Sequence, residues 1–235
     1  MHISLDSALG QQRRLNQVGE SITQIAPNST AAYSLRSLTG GDPKVVRVRR
    51  DTGGGAGDND EEDFTVSGIS SGALVDFVGS GNDGFVETWY DQSGNGRDAT
   101  QATAANQPKI VNAGSLVSNG LDFDGVNDQI NMPTDIISNV NSVSVFLVSK
   151  GLSGVQFDPA VTISSSPSLI INYLFATFII NKYGGSNLTL ASTDGAKHLV
   201  SFTAGGENAE SFFDGTSKGT VALQSGYSAS TIIGS

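Results

Sequence analysis

The strongest constraint on this chain is the spacing of its short β-branched and aromatic runs, each closed by turn-forming residues. Val45–Arg49 alternates as Val-Val-Arg-Val-Arg, with Val46 and Val48 on one face and Arg47 and Arg49 on the other. Phe85–Tyr90 is a second run and closes on Ser93-Gly94-Asn95-Gly96. Val143–Ser149 and Leu199–Thr203 read as strands, and Ser211–Phe213 enters the hairpin dipeptide Asp214-Gly215, followed by Thr220–Leu223. Runs this short and this closely spaced favour an all-β sandwich of two antiparallel sheets over βαβ units. Thr231–Ile233 begins a last strand that looks cut short, so a sandwich over residues 28–235 is expected to be truncated there or closed by another chain.

One or two short helices are expected. Ala31–Leu38 has good helix formers, with Asn28, Ser29 and Thr30 as caps, and Leu74–Val78 suits a single turn. Residues 51–63 read as a loop, nearly all glycine through 52–57. Residues 1–27 differ from the rest. Leu5, Leu9, Leu15 and Val18 form neither a clean strand nor a strong helical stripe, and there is too little apolar mass to fold alone. This segment is expected to be an N-terminal arm, attached through those four residues to a neighbouring subunit; the plainer alternative is a frayed terminus.

Composition excludes several functions. With 13 basic against 23 acidic side chains, the net charge is −10, and no basic stripe exists to follow a phosphate backbone, so nucleic acid is not an expected partner. The absence of cysteine excludes disulfides, thiolate zinc sites and a catalytic thiol, and two histidines exclude a multi-histidine metal site within the chain. The most apolar stretch, Leu169–Ile180, is 12 residues long, short of the about 20 needed to span a bilayer as a helix, so membrane insertion is not expected. Residues 1–20 carry Asp6, Arg13 and Arg14 and lack the apolar core of a signal peptide.

The strings Ala31-Ala-Tyr-Ser-Leu-Arg36, Val45-Val-Arg-Val-Arg-Arg50 and Thr88-Trp-Tyr-Asp-Gln-Ser-Gly-Asn-Gly96, with Ala99-Thr-Gln101 and Gln107-Pro108, occur in that order. Together they resemble the catalytic domain of arabinofuranosidase B, a glycoside hydrolase of concanavalin A-like fold. They are still more similar to concanavalin A-like modules in virion proteins of tailed bacteriophages, cyanophages especially. Leu121-Asp-Phe-Asp-Gly-Val-Asn-Asp128, Lys197–Phe202 and Phe213-Asp-Gly215 resemble the strands and turns of laminin G-like jelly rolls. The resemblance implies a concanavalin A-like jelly-roll sandwich in a phage structural protein, exposed on the capsid or on a tail appendage as decoration or fibre. It also implies homo-oligomers, contacts with other virion proteins, adhesion to a host surface glycan, assembly in the host cytoplasm and release by lysis. The alternative it implies is an arabinofuranosidase-like hydrolase of host polysaccharide.

The resemblance places the chemistry in the second half of the chain. A retaining glycosidase needs two carboxyl groups about 5–5.5 Å apart. Pro167–Lys182, the stretch comparable to the one that holds the family's nucleophile, has no Asp or Glu; Asp158 and Asp194 only flank it. The family's vicinal cysteine pair is missing too, so the chain is expected not to be an enzyme. Trp89, Tyr90, Asp91, Gln92 and Asn95 are the candidate ligand-binding residues. Against that, Trp89 suits a core anchor, and Asp91 suits a carboxylate that accepts N–H bonds within its own turn. Asp58, Asp60 and Glu62 offer oxygens at the close spacing calcium requires, without the loop pattern of an EF-hand, and Asp122, Asp124 and Asp128 make a weaker set. Calcium is the one cofactor these residues suggest. Arg47, Arg49 and Arg50 are expected to pair with acidic neighbours or to enter a subunit interface, and His198 to be structural.

Overall fold

The computed structural model describes residues 28–117, 120–134, 137–140, 142–150, 158–163, 169–174, 177–182, 188–192, 196–205, 208–222, 227–229 and 231–233. Leu5, Leu9, Leu15 and Val18 lie outside them. The described residues form two compact units, one within 1–99 with 109–122 and the other within 100–108 with 123–235.

In the first unit, β1 (Lys44–Asp51) lies between β2 (Glu61–Thr65) and β3 (Asp83–Trp89). The chain leaves the unit through β4 (Ala99–Thr100) and returns as β5 (Lys109–Asn112) and β6 (Ser115–Leu116). β5 pairs with β3 and with β6, and every one of these pairings is antiparallel. Residues 61–63, expected to be loop, belong to β2. Opposite charges on neighbouring strands account for this: Glu61 faces Arg49 and Asp63 faces Arg47 across the ladder.

Two short helices follow β2: α1 (Val66–Ser70), capped where the Thr65 hydroxyl accepts the Gly68 N–H at 3.1 Å, and α2 (Ala73–Val78), which contains the expected turn. Leu74 and Val78 of α2 are buried, as are Val46, Val48, Val86 and Val111 of the sheet. Gly84 is where helix and sheet meet. A Cβ there would stand 2.8 Å from Val78 Cγ2 and 3.2 Å from Val111 Cβ, so the close packing requires glycine.

Ala31–Leu38 is not helical. Asp91 and Gln92 hydrogen-bond its backbone groups, so they are unavailable to an intrahelical ladder.

The second unit begins with a 3-10 turn, Ala104–Asn106. Its strands are β7 (Ile130–Asn131), β8 (Ile137–Val140), β9 (Ser142–Ser149), β10 (Asp158–Ile163), β11 (Leu169–Leu174), β12 (Thr177–Lys182), β13 (Leu188–Ser192), β14 (His198–Gly205), β15 (Asn208–Phe213), β16 (Thr216–Ala222), β17 (Tyr227–Ala229) and β18 (Thr231–Ile233). One sheet runs β13-β12-β11-β10-β18-β7, a second runs β16-β15-β14-β9, and β17 pairs with β8. The pairings are antiparallel, and β13 of the first sheet lies against β15 and β16 of the second. The fold is an all-β jelly-roll sandwich.

Alternation sorts the second sheet. Val200, Phe202 and Ser211 are fully buried on one face, whereas Phe146 and Val148 are 70% and 67% exposed on the other. The β15–β16 hairpin turns on Asp214 and Gly215, with φ of 48° and 76°, the positive values a tight hairpin demands. β18 is paired on both sides, by β10 and β7, so this expected last strand is interior to its sheet. The expected Asp122–Asp124 strand reduces to one bridge, Lys109 with Asp122, and then a turn in which Asp124 accepts the N–H groups of Val126, Asn127 and Asp128. Among the described residues, no helix is long and apolar enough to cross a membrane.

Candidate functional site

The string Tyr90–Gly96 leaves β3 and fastens residues 29–38 to it. The Asp91 carboxylate accepts four hydrogen bonds: Oδ1 from Ala32 N (2.9 Å) and Ser93 N (2.8 Å), and Oδ2 from Ser93 Oγ (2.7 Å) and Arg97 N (3.1 Å). Burial alone would raise its pKa. The backbone N–H groups of Ser93 and Ala32, with the Ser93 hydroxyl and Arg97 N–H, outweigh burial and hold it below the usual carboxylate range. Gln92 is 4% exposed. Its amide nitrogen donates to the Ser34 and Arg36 carbonyls (2.9 and 3.0 Å), and its Oε1 accepts Leu38 N (2.8 Å). Asn95 Nδ2 donates to the Ser29 and Thr30 carbonyls (2.9 and 3.1 Å).

Three of the five candidate ligand-binding residues therefore spend their polar groups on the chain itself. Asp91 has two occupied oxygens, Gln92 is enclosed, and Asn95 is turned toward residues 29–30. The arrangement is a clamp, as the turn-chemistry reading of Asp91 anticipates. Trp89 is half-buried, its ring centroid 5.7 Å from that of Tyr33, and its indole nitrogen is buried with no partner among the described residues.

Tyr90 belongs to a different constellation, which the sequence reading did not identify. Its hydroxyl donates to Asp63 Oδ1 at 2.6 Å. Asp63 also receives Arg47 Nε at 2.7 Å and Lys44 Nζ at 2.8 Å. The hydrogen bond from Arg47, followed by those from Lys44 and Tyr90, holds the Asp63 carboxyl well below its ordinary range against the opposing effect of burial. Burial, and then Asp63, push the Tyr90 hydroxyl up to about 12. The available signal was the opposite charge at facing positions of β1 and β2.

The acidic residues after the glycine loop are not gathered. Asp58 accepts Thr52 N at 2.8 Å, Asp60 pairs with Arg50 at 2.5 Å, and Glu62 is exposed on β2 opposite Val48. Asp124 and Asp128 serve their own turn, where Asp128 accepts Asp124 N at 3.0 Å. No group of three or more His, Asp or Glu among the described residues is arranged to hold a metal ion. The arginines pair as expected: Arg47 with Asp63, Arg49 with Asn59 and Asp51, and Arg50 with Asp60. His198 Nδ1 lies 2.7 Å from Asp214 Oδ2, and its ring lies against Phe213.

Asp42, Asp58, Asp63, Asp83, Asp91 and Asp124 are each shifted downward in pKa. A glycosidase general acid needs the opposite shift. Asp135, Asp194 and Glu207 lie outside the described residues; the backbone of Asp158 opens β10, and its side chain is not among those described.

No family model matches the chain, and no curated protein sequence matches it. Solved structures do. A GH54 α-L-arabinofuranosidase soaked with a cyclic sulfate inhibitor aligns with a TM-score of 0.61 and 12% identity over 88% of this chain and 55% of its own. A mutant of a GH54 α-L-arabinofuranosidase soaked with 4-nitrophenyl α-L-arabinofuranoside gives 0.63 and 12%, with the same coverage. An arabinofuranosidase complexed with arabinofuranosyl-α-1,2-xylobiose gives 0.62 and 13%, over 87% of this chain and 54% of its own. The chain thus spans about half the length of these structures. The likeness establishes a β-sandwich fold of the kind carried by carbohydrate-active enzymes. It overturns the expectation that the chain is not an enzyme, which rested on a stretch without carboxylates and on the missing cysteine pair: the backbone follows glycoside hydrolases over most of its length. The virion role draws no support from these structures.

Proposed function

We propose that this chain is a carbohydrate-active β-sandwich, a glycoside hydrolase of arabinofuranosidase-like type acting on polysaccharide. The observation that supports this reading is the backbone likeness to three arabinofuranosidase structures over 87–88% of the chain. On this reading the clamp and the Asp63 constellation are scaffold, because their carboxylates are saturated and lowered in pKa. The catalytic pair is drawn from carboxylates outside these two constellations. If the sequence likeness to virion modules carries function, the enzyme rides on a phage particle and its substrate is a host-surface polysaccharide.

The test is direct. The purified chain is incubated with 4-nitrophenyl α-L-arabinofuranoside, arabinan and a panel of bacterial surface polysaccharides, and released nitrophenol and sugar are measured. Release is expected, and Asn or Gln at a carboxylate of the catalytic pair should abolish it while leaving the circular dichroism spectrum unchanged. Retention on immobilised glycan without release, or no interaction with any member of the panel, overturns the proposal.

A further inference from the structure

The clamp contains a bond that can convert itself. Asn95 is followed by Gly96, whose φ is +67° and where a Cβ would meet nothing within 4 Å. With no side chain at residue 96, little hinders its backbone nitrogen from approaching the Asn95 carboxamide carbon. In the intact clamp, that carboxamide is held: Nδ2 donates to the Ser29 carbonyl at 2.9 Å, the Thr30 carbonyl at 3.1 Å and Ser93 Oγ at 3.0 Å. Ser93 Oγ also accepts the Asn95 N–H at 3.3 Å, which fixes the backbone on the other side of the same residue. The side chain that could react is therefore the one that fastens residues 29–30.

We propose that Asn95–Gly96 is a site of spontaneous deamidation governed by clamp opening, and that conversion leaves residues 29–30 unfastened. The Gly96 nitrogen attacks Asn95 Cγ, its proton passing to solvent. Nδ2 takes a proton from solvent, the Cγ–Nδ2 bond breaks and ammonia leaves. Water then opens the cyclic imide at either carbonyl, giving Asp or isoaspartate at position 95. No oxidant or further reactant is needed. The new carboxylate has no hydrogen to donate and sets negative charge against the Ser29 and Thr30 carbonyl oxygens, where a donor stood before. Isoaspartate adds a backbone carbon to the tight turn as well. Reclosure is then opposed, so a transient opening becomes permanent. This inference is independent of the proposed activity.

The experiment follows the full chain during incubation at mildly alkaline pH. Peptide mapping by mass spectrometry scores conversion at Asn95, and brief trypsin treatment scores cleavage after the exposed Arg36, within the clamped segment. A synthetic peptide spanning residues 87–100 supplies the unclamped rate. Conversion in the folded chain is expected to be slower than in the peptide by about tenfold or more, the protection given by a local opening equilibrium. Ser93→Ala keeps the Asn-Gly pair, removes the hydroxyl that contacts Asp91, Thr30 and Asn95, and should raise the rate toward that of the peptide. Asn95→Asp should accelerate cleavage after Arg36. If Ser93→Ala does not fold, the same acceleration of conversion is sought in the native chain at sub-denaturing urea. Equal rates in chain and peptide, a loosened clamp that converts no faster, or Asn95→Asp with unchanged cleavage would each overturn the proposal.

Discussion

The first unit and the four-stranded sheet of the second are held together in different ways. In the first, side chains reach across long sequence separations to backbone groups: Asp91, Gln92, Ser93 and Asn95 bind residues 29–38, and Arg50 spans the Gly57 and Phe77 carbonyls and the Asp60 carboxylate. In the second, β14, β15 and β16 are successive strands joined by backbone ladders, with one polished apolar face carrying Val200 and Phe202. Ladders tolerate many sequences, because the bonded groups are common to all residues. A side-chain clamp does not, since each contact depends on one functional group. The difference explains why one short string is so recognisable: each of its polar side chains has its own backbone partner.

Substitutions can break this comparison. The largest effect is expected in the second unit: Phe202→Ala should cost about 3–5 kcal/mol, the price of emptying a fully buried aromatic site, and is read by urea unfolding. Asp91→Ala should destabilise the first unit by about 2–3 kcal/mol, because four donors lose their acceptor. Hydrogen exchange should then show loss of protection over residues 30–38 first; uniform loss over both units would sink the clamp interpretation. Gly84→Ala should cost about 1–3 kcal/mol through overpacking against Val78 and Val111.

Acid should separate the two regions more gently. Asp42, Asp58, Asp63, Asp83 and Asp91 all belong to the first unit and all titrate below their ordinary values. A carboxylate with a depressed folded pKa stabilises the fold above its unfolded pKa of about 4 and loses that contribution as pH falls through the folded value. The first unit should therefore loosen below about pH 4 while the hydrophobic ladder of β14–β16 persists. Asp63→Asn should remove part of that acid sensitivity at a cost below about 1 kcal/mol at neutral pH, since its ion pairs are partly solvated. The smallest effect is expected at Phe146: Phe146→Ser should change stability by less than about 0.5 kcal/mol because the ring is 70% exposed.

Much of the architecture is readable in local pattern. The runs at Val45–Arg49, Val143–Ser149, Leu199–Thr203 and Ser211–Phe213 fall within strands, Phe85–Tyr90 does so up to Trp89, and Asp214-Gly215 makes the turn. The failures have a common cause. Ala31–Leu38 has helical propensity, yet residues about 55–60 positions away in sequence occupy its backbone groups. Glu61–Asp63 reads as a solvated acidic loop until Arg47 and Arg49 are placed opposite. Thr231–Ile233 reads as a stub until β7 and β10 are placed on its two sides.

The amino-acid sequence by itself determined that this chain folds as β structure, where its strands and tight turns fall, and that its surface is acidic, because periodicity, turn chemistry and charge are local properties. Only the tertiary structure decided what the polar side chains of the Tyr90–Gly96 string do. A carboxylate and two carboxamides have the same chemistry whether they face a sugar or a backbone. The choice lies in which donors and acceptors the fold brings within 3 Å or so of them, and here those belong to residues 29–38 and the turn itself.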